Sequence, residues 1–245
     1  MGQSSLHSQT LEGRVPDGVR VYAIGDIHGH LDLLDQVLAR IDAHLADNPI
    51  SQPIEVFLGD YVDRGPQSRV VLDRLIERSH THRTIFLKGN HEVLLATFPT
   101  DPNILDEWRK YGGLETLMSY GLKPSAKRSP SQYPELAAAL EHALPQSHRD
   151  FLSELKTHFV CGDYFFVHAG VRPNVSLHLQ SENDLLWIRD DFLKYEKPFD
   201  KIIVHGHTPV PAPEIRSNRI NIDTGAYATG KLTCLVLESD QLDFI

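Results

Sequence analysis

The sequence predicts a layered α/β sandwich in which two sheets pack on each other and helices cover the outer faces. The first half of the chain alternates apolar strands with amphipathic helices, an order typical of a largely parallel sheet with helices on its faces. The last third carries short strands joined by tight turns, which favours a second sheet. Between these parts, over about residues 99–156, helical patterns without strands predict an inserted helical cap.

The first strand is predicted over residues 19–25 (VRVYAIG), and an amphipathic helix follows it. An apolar stripe with alternating spacings of three and four residues identifies this helix: Leu31, Leu34, Leu38, Ile41 and Leu45. The same unit then recurs. IEVFLGD predicts a second strand, and VVLDRLIER predicts a second helix. TIFLKGN then predicts a third strand, and HEVLLATF predicts a short third helix.

The remaining strands are predicted after residue 156. HFVCG and YFFVHAG are separated by Gly162 and Asp163 and predict a hairpin, and KIIVHGHT, NRINIDTG and KLTCLVLE follow. We expect all of them in the second sheet. Residues 1–18 are polar, with two glycines and a proline, and predict a flexible N-terminal tail. The length of 245 residues suits one domain over residues 19–245.

Composition excludes several classes of protein. The chain has 24 basic and 33 acidic residues and a net charge of −9, which argues against nucleic acid as a partner. No segment approaches the ~20 consecutive apolar residues of a membrane span. The first ten residues lack the basic start and apolar stretch of a secretory signal, so we expect a cytoplasmic protein. Two cysteines, Cys161 and Cys234, lie in apolar runs and are expected as buried thiols.

Five polar clusters follow five predicted strands directly: GDIHGH, GDYVDRG, GNHE, HAG and HGHTP. Ligands of open α/β sheets bind at the carboxyl ends of the strands, so these clusters should meet in one place. Each contains a glycine beside its polar residues, which allows the backbone to turn sharply. The polar residues are Asp, His and Asn, which are suitable ligands for divalent metals.

Six side chains are candidate metal ligands: Asp26, His28, Asp60, Asn90, His168 and His207. Six ligands exceed one tetrahedral site but suit two ions that share a carboxylate. Two ions roughly 3.5–4 Å apart can clamp the attacking and leaving oxygens of a displacement at phosphorus. Two such ions outweigh two carboxylates and a hydroxide in charge, so an acidic protein can contain an anion-attracting pocket.

These motifs resemble the calcineurin-like metallophosphoesterases. The pattern consists of GDxHG, GDxVDRG, GNHE, a later histidine before a small residue and glycine, and a terminal GHT. The complete GDYVDRG with GNHE is similar to the phosphoprotein phosphatase branch, whose prokaryotic and phage members include small serine/threonine phosphatases. The resemblance covers residues 19–237 and implies an α/β/β/α sandwich of four layers.

The resemblance also implies a role for each ligand. Asp26 and His28 would bind the first metal, and Asp60 would bridge the two metals. Asn90, His168 and His207 would bind the second metal. The HGH segment offers two histidines, and the resemblance selects His207 rather than His205, which is expected to contact solvent or substrate; His30 also falls outside the implied ligand set. Manganese is the expected metal, although iron and zinc tolerate the same ligands.

Phosphate binding and proton transfer are implied for four further residues. Arg64 and Arg189, together with the ligand Asn90, would bind the substrate phosphate, because a guanidinium can bind phosphate oxygens in pairs. Arg189 could instead form a salt bridge with the acids beside it. His91 would donate a proton to the leaving group, and Asp63 would orient His91 and raise its pKa.

The expected function is metal-dependent hydrolysis of phosphomonoesters, with a phosphorylated protein or a small phosphate ester as substrate. A serine/threonine protein phosphatase with a metal-activated hydroxide is the leading hypothesis. The alternative is symmetrical hydrolysis of diadenosine tetraphosphate, whose sister group usually has another residue in place of Asp63. A nuclease would commonly carry a histidine where Pro209 stands. A catalytically inactive binding module should lack a ligand or a phosphate-binding residue, and none is missing.

Overall fold

The computed structural model describes residues 12–124 and 130–245 and contains two five-stranded sheets. Residues 1–11 of the predicted tail lie outside the described residues. The strands, in chain order, are β1 (Val19–Ile24), β2 (Gln52–Phe57), β3 (Thr84–Phe86), β4 (His158–Cys161), β5 (Tyr164–Val167), β6 (Ile202–His205), β7 (Glu214–Ile215), β8 (Arg219–Asn221), β9 (Cys234–Glu238) and β10 (Gln241–Phe244).

The helices, in chain order, are α1 (Leu31–Asp47), α2 (Ser68–Ser79), α3 (Asn90–Thr97), α4 (Leu105–Trp108), α5 (Gly113–Ser119), α6 (Tyr133–Ala143), α7 (Gln146–Glu154), α8 (Glu182–Trp187), α9 (Asp190–Leu193) and α10 (Ala226–Thr229). Short 3-10 turns occupy Pro102–Ile104, Arg109–Tyr111, Pro130–Gln132 and Leu177–Leu179. Helix α1 ends at Asp47 because Asn48 precedes Pro49, a position that disfavours helical backbone. No helix among the described residues is long and apolar enough to cross a bilayer.

The first sheet has the strand order β10-β9-β1-β2-β3 and the second has the order β4-β5-β6-β8-β7. Strands β1, β2 and β3 run parallel to one another, and so do β5, β6 and β8. The parallel strands of each sheet therefore end at a common edge. The antiparallel pairings involve β9 and β10 in the first sheet and β4 and β7 in the second.

Successive side chains of a strand point to opposite faces of its sheet, and this alternation builds the layers. In β1, Val21 and Ala23 join the apolar cluster between the two sheets, whereas Tyr22 and Ile24 join the cluster beneath α1 and α2. On the second sheet, residues such as Phe165 of β5 pack outward against α8 and α9. The resulting order of helices, sheet, sheet and helices confirms the predicted α/β/β/α class.

The last long strand departs from the prediction. We expected KLTCLVLE in the second sheet, but β9 lies in the first sheet, where it pairs antiparallel with β1. Cys234 and Val236 face the helices, and Leu235 and Leu237 face the second sheet. A strand buried on both faces shows no polar alternation, so its sequence does not indicate which of two sheets receives it.

The predicted flexible tail is wrong for the described residues before β1. Val15 is fully buried in the cluster between the sheets, and its N–H donates to the carbonyl of Ser239 at 2.9 Å. The N–H of Arg14 donates to Asp163 Oδ2 at 3.0 Å. These contacts hold the segment along the rims of both sheets, an arrangement that its polar composition does not show.

The helical insertion lies on the outer face of the first sheet. Helices α5 and α7 pack against α2, and α7 also contacts α3. Within it, Tyr120 Oη and His148 Nδ1 are 2.7 Å apart, and His148 Nε2 lies 2.9 Å from Asp73 of α2. The insertion thus packs beside the loops after β2 and β3, where the candidate site lies.

A matched pair of leucine substitutions tests the packing of β9. Leu237→Ala removes a side chain that is fully buried between the sheets, so we expect it to lower the free energy of unfolding by about 2–5 kcal/mol. Leu179→Ala removes a side chain that is 69% exposed and should change it by less than about 0.5 kcal/mol. Urea unfolding followed by circular dichroism measures both. Equal effects would show that β9 does not contribute to the core between the sheets.

Candidate metal centre

The loops that follow β1, β2, β3, β5 and β6 meet at one edge of the sandwich. They bring together all six predicted ligands, each at most 6% exposed: Asp26, His28, Asp60, Asn90, His168 and His207. Close contact between the backbones of these loops permits the six side chains to converge. A Cβ at Gly59 would lie 2.6 Å from the N atom of Gly89, and one at Gly206 would collide with the carboxylate of Asp26. Side chains at these two positions would separate the loops.

Two overlapping groups of ligand atoms share Asp60. One contains His28, Asp60 and His91, the other contains Asp60, His168 and His207, and the atoms within each group lie within 4.8 Å of one another. The two carboxylate oxygens of Asp60 face different groups. Oδ2 lies 3.7 Å from His28 Nε2, and Oδ1 lies 3.4 Å from His168 Nε2. This geometry suits a carboxylate that bridges two cations.

The environment of His168 shows that the donor set fits a cation. Its Nδ1 lies 3.0 Å from the carbonyl oxygen of Leu58, so Nδ1 carries the proton and Nε2 carries a lone pair. Nε2 then faces the acceptors Asn90 Oδ1 at 2.9 Å and Asp60 Oδ1 at 3.4 Å. His28 is arranged in the same way, with Nδ1 at 2.9 Å from the carbonyl of Val62. Acceptors that face one another are stabilised by a shared cation.

Asp26 contributes a carboxylate with one free oxygen. Its Oδ2 accepts the N–H of His207 at 3.0 Å, while the buried Oδ1 has no hydrogen-bond partner within residues 12–124 and 130–245. Burial, followed by the charges of Asp223 and Asp60, raises the pKa of Asp26 well above its usual value. A bound cation would offset both effects. The oxygen and nitrogen donors together therefore fit two divalent ions.

Burial and neighbouring charges hold the ligand side chains in the protonation states that bind metal. Burial lowers the pKa of His28 to about 3, so this imidazole is neutral and able to bind metal. Burial also lowers the pKa values of His168 and His207. Burial raises the pKa of the Asp60 carboxyl. The charges of the surrounding histidines outweigh burial and hold this pKa below its usual value.

The site loops contain unusual backbone. Five non-glycine residues have a positive φ: His28, Asp60, Asp63, Arg64 and His207. Each costs of order 1 kcal/mol or more and requires support from its surroundings. Glu92, the last residue of GNHE, was not among the residues predicted for the site. Its carboxylate accepts the N–H groups of Asp60, Tyr61 and Gly89 at 2.8–2.9 Å and so stabilises the turn after β2.

Asp63 and His91 form the predicted pair, since His91 Nδ1 lies 2.7 Å from Asp63 Oδ2. The helical insertion supplies two partners that sequence analysis missed. Trp108 Nε1 donates to Asp63 Oδ2 at 2.7 Å, and Thr116 Oγ1 donates to Oδ1 at 2.6 Å. Burial lowers the pKa of His91, but the charges of Asp60 and Asp63 and the hydrogen bond to Asp63 outweigh burial and raise it to about 9.

The two predicted phosphate-binding arginines flank the ligands. The guanidinium of Arg64 lies 4.0 Å over the ring of Tyr227, a residue that no sequence motif marked. Arg189 is exposed, and its Nε lies 3.1 Å from His207 Nε2. The alternative that Arg189 pairs with its neighbouring acids is wrong, because those acids pair elsewhere: Asp190 with Lys194 and Asp191 with Arg172.

His205 and His30, the other two histidines of the motifs, lie outside the two groups of ligand atoms. His205 is fully buried, with its ring centroid 4.9 Å from that of Phe192. Our expectation that His205 contacts solvent is therefore wrong, because it is the last residue of β6 and points toward the helices of the outer layer. His30 precedes α1, and its Nδ1 lies 3.9 Å from Asp32. The structure thus places His207, and not His205, in a group of side chains that could hold a metal ion.

Comparison with known proteins is consistent with this geometry. Residues 19–245 match the family model described as calcineurin-like phosphoesterase. The chain belongs to the calcineurin-like phosphoesterase family, whose members are hydrolases that use divalent metal ions.

Relatives give more detail on the substrate. The chain is 28% identical over 231 residues to an asymmetrical bis(5'-nucleosyl)-tetraphosphatase, PrpE, of Anoxybacillus flavithermus, covering 86% of this chain and 88% of the relative. A solved structure of a protein provisionally named as a diadenosine tetraphosphatase has a TM-score of 0.62 at 19% identity, covering 96% and 94% of the two chains. A cold-active protein tyrosine phosphatase of a Shewanella species has a TM-score of 0.54 at 15% identity, covering 97% and 84%.

These relatives overturn the leading hypothesis from the sequence. The expectation of a serine/threonine protein phosphatase is wrong, because the curated relatives are dinucleoside tetraphosphatases. We had used the presence of Asp63 and GNHE to choose between the substrates. In the structure, Asp63 contacts His91, and GNHE supplies Asn90, His91 and Glu92 around Asp60. All of these contacts join residues of the site to one another, so the motifs carry no information about the part of a substrate beyond its phosphate.

The two carboxylate oxygens of Asp60 face different groups of ligand atoms, so a substitution at Asp60 tests the predicted bridging role. Asp60→Asn removes the charge that faces both groups of ligand atoms, so we expect the purified variant to lose bound metal from both positions. His30→Asn is the matched control, because His30 lies outside the two groups. Metal content per chain, measured by plasma mass spectrometry, reports the result. Two ions retained in Asp60→Asn would contradict the bridging geometry.

The raised pKa of His91 predicts a pH dependence of stability in metal-free protein. Its value of about 9 exceeds the usual 6.5, so the folded state binds the proton more tightly than the unfolded state does. The stabilisation is complete below pH 6.5 and declines as the pH rises through about 9. Urea unfolding in the presence of a chelator, between pH 6 and 9.5, measures this decline. His91→Gln should flatten the profile, and an identical decline in that variant would exclude His91 as its source.

Proposed function

We propose that this protein is a metal-dependent hydrolase of dinucleoside polyphosphates that cleaves diadenosine tetraphosphate asymmetrically. The match to PrpE over 86% of the chain carries this proposal. The two groups of buried ligand atoms support it, because each of them could hold a metal ion. The substrate class corresponds to our alternative from the sequence, except that we had expected symmetrical cleavage.

In this function the six predicted ligands bind two divalent ions, with manganese as the first candidate. Such ions neutralise phosphate charge and activate water for attack on phosphorus. The chain itself binds and orients the substrate. Arg64 and Arg189 bind phosphate oxygens from the two sides of the ligand groups, and the amide of Asn90 faces the same space. The two arginines and the metals concentrate positive charge in a chain whose net charge is −9.

His91 transfers a proton to the leaving group. Its Nδ1 donates to Asp63, which leaves Nε2 on the side of Asp60, 3.7 Å from Asp60 Oδ2. The raised pKa keeps this imidazole protonated at neutral pH in the metal-free protein, and Trp108 and Thr116 fix the carboxylate that orients it. A nucleotide phosphate is a weakly basic leaving group, so it depends less on protonation than an alkoxide does.

The cellular location is a further part of the proposal. Cys161 and Cys234 are both buried and unpaired, which agrees with a reducing compartment. We therefore retain the cytoplasm as the proposed location.

The test is a comparison of substrates with the manganese-loaded protein. Diadenosine tetraphosphate, a phosphothreonine peptide and p-nitrophenyl phosphate are assayed side by side, and the nucleotides are separated by ion-exchange chromatography. We expect the highest kcat/KM for the dinucleotide, with AMP and ATP in equal amounts as products. Asp60→Asn, purified in the same way, controls for contaminating hydrolases and should be inactive.

Two results would contradict the proposal in different ways. ADP as the only product would show symmetrical cleavage. A kcat/KM for the phosphopeptide above that for the dinucleotide would reject the substrate class altogether.

A further inference from the structure

Two aromatic rings lie beside the two groups of ligand atoms and have no role in the chemistry described so far. Tyr111 precedes α5, and Trp187 is the last residue of α8. Their ring centroids are 6.3 Å apart. The ring of Tyr111 lies 5.9 Å from that of His91, and the ring of Trp187 lies 6.3 Å from that of His207. Both aromatic side chains are only half-buried, whereas Trp108 is fully buried.

A positively charged side chain, that of Arg189, lies near the two rings. Arg189 follows Trp187 by two residues, is exposed, and lies against His207 through its Nε at 3.1 Å. Its charge also acts on the hydroxyl of Tyr111. That hydroxyl is hydrogen-bonded to Glu107, which restrains the orientation of the Tyr111 ring. Tyr111, Trp187 and Arg189 therefore form one patch with flat apolar surfaces and a fixed positive charge next to the ligands.

We propose that Tyr111 and Trp187 form a nucleobase-binding platform, on which one base of the substrate stacks while Arg189 binds the adjacent phosphate. This inference rests on the proposed function and adds the residues that select a nucleotide. Aromatic side chains bind bases through the faces of their rings, with little preference among bases. A phosphopeptide or an inorganic polyphosphate has no group that would occupy the platform.

The position of the platform also accounts for asymmetrical cleavage. One face of a third aromatic ring at the site, Tyr227, is occupied by the guanidinium of Arg64 at 4.0 Å, and the ring edge contacts His28, although the side chain is 38% exposed. Tyr111 and Trp187 form the platform beside His91 and His207. A base held there places its own phosphate nearest to His207 and Arg189, since only the ribose separates the two. Attack by water at that phosphorus forms a new P–O bond and breaks the bond to the bridging anhydride oxygen. The products are a nucleoside monophosphate and the leaving group, which is the second nucleoside with the other three phosphates.

Matched variants of Trp187 test the platform in the metal-loaded protein. The substrates are diadenosine tetraphosphate and inorganic tripolyphosphate, which share the phosphoanhydride bond but differ in the nucleosides. Trp187→Leu should lower the ratio of the two kcat/KM values, dinucleotide over tripolyphosphate, by about tenfold, chiefly through the KM of the dinucleotide. Trp187→Phe keeps an aromatic ring and should restore most of the ratio. Equal losses on both substrates in Trp187→Leu would overturn the platform and indicate a structural role.

Tryptophan fluorescence provides a readout that does not depend on turnover. The chain has two tryptophans, and Trp108 is fully buried, so a stacked base should quench Trp187. The probe is a methylene-bridged diadenosine tetraphosphate, with methylenebisphosphonate as the control without bases. We expect quenching by the first only, and equal responses to both would reject stacking. If the protein fails to cleave diadenosine tetraphosphate yet shows this quenching, the proposed function fails while the platform stands.

Discussion

The buried carboxylate of Asp60 joins the parts of the site. The backbone carbonyl of Asp60 accepts the N–H groups of Ile27 and His28 at 3.1 and 2.8 Å. These two bonds tie the loop after β1 to the loop after β2. Oδ1 of Asp60 accepts the N–H of His91 at 3.2 Å and faces His168 of the second sheet. A buried charge requires this compensation. The surrounding layers position the donors that make it possible.

Support for Asp60 extends outward in two directions. Glu92 accepts four backbone N–H groups around the turn, and this allows Asp60 to keep its left-handed conformation. On the other side, the helical insertion reaches Asp63 through Trp108 and Thr116. The insertion is thus part of the site as well as a cover for the sheet. Changes in its packing would alter the orientation of His91 through Asp63.

The two proposals place substrate choice and phosphate chemistry in different parts of this molecule. In the proposed function the strand-end motifs bind the metals and the substrate phosphate, and a phosphoprotein and a dinucleotide both carry phosphate. The groups that could recognise a nucleoside, Tyr111 and Trp187, come from the insertion and from α8, outside every motif that we identified. This separation explains why motifs that correctly indicated a phosphoesterase led to the wrong substrate class.

The sequence by itself determined the layered α/β class, the helix that begins at Leu31, and the group of side chains that meet at the strand ends, because these follow from local periodicity and from the shared edge of parallel strands. Only the tertiary structure decided that β9 joins β1, that Val15 is buried between the sheets, and that Glu92, Trp108 and Thr116 support the site. These features depend on contacts between segments far apart in the chain, and local patterns carry no information about which distant segment supplies a partner.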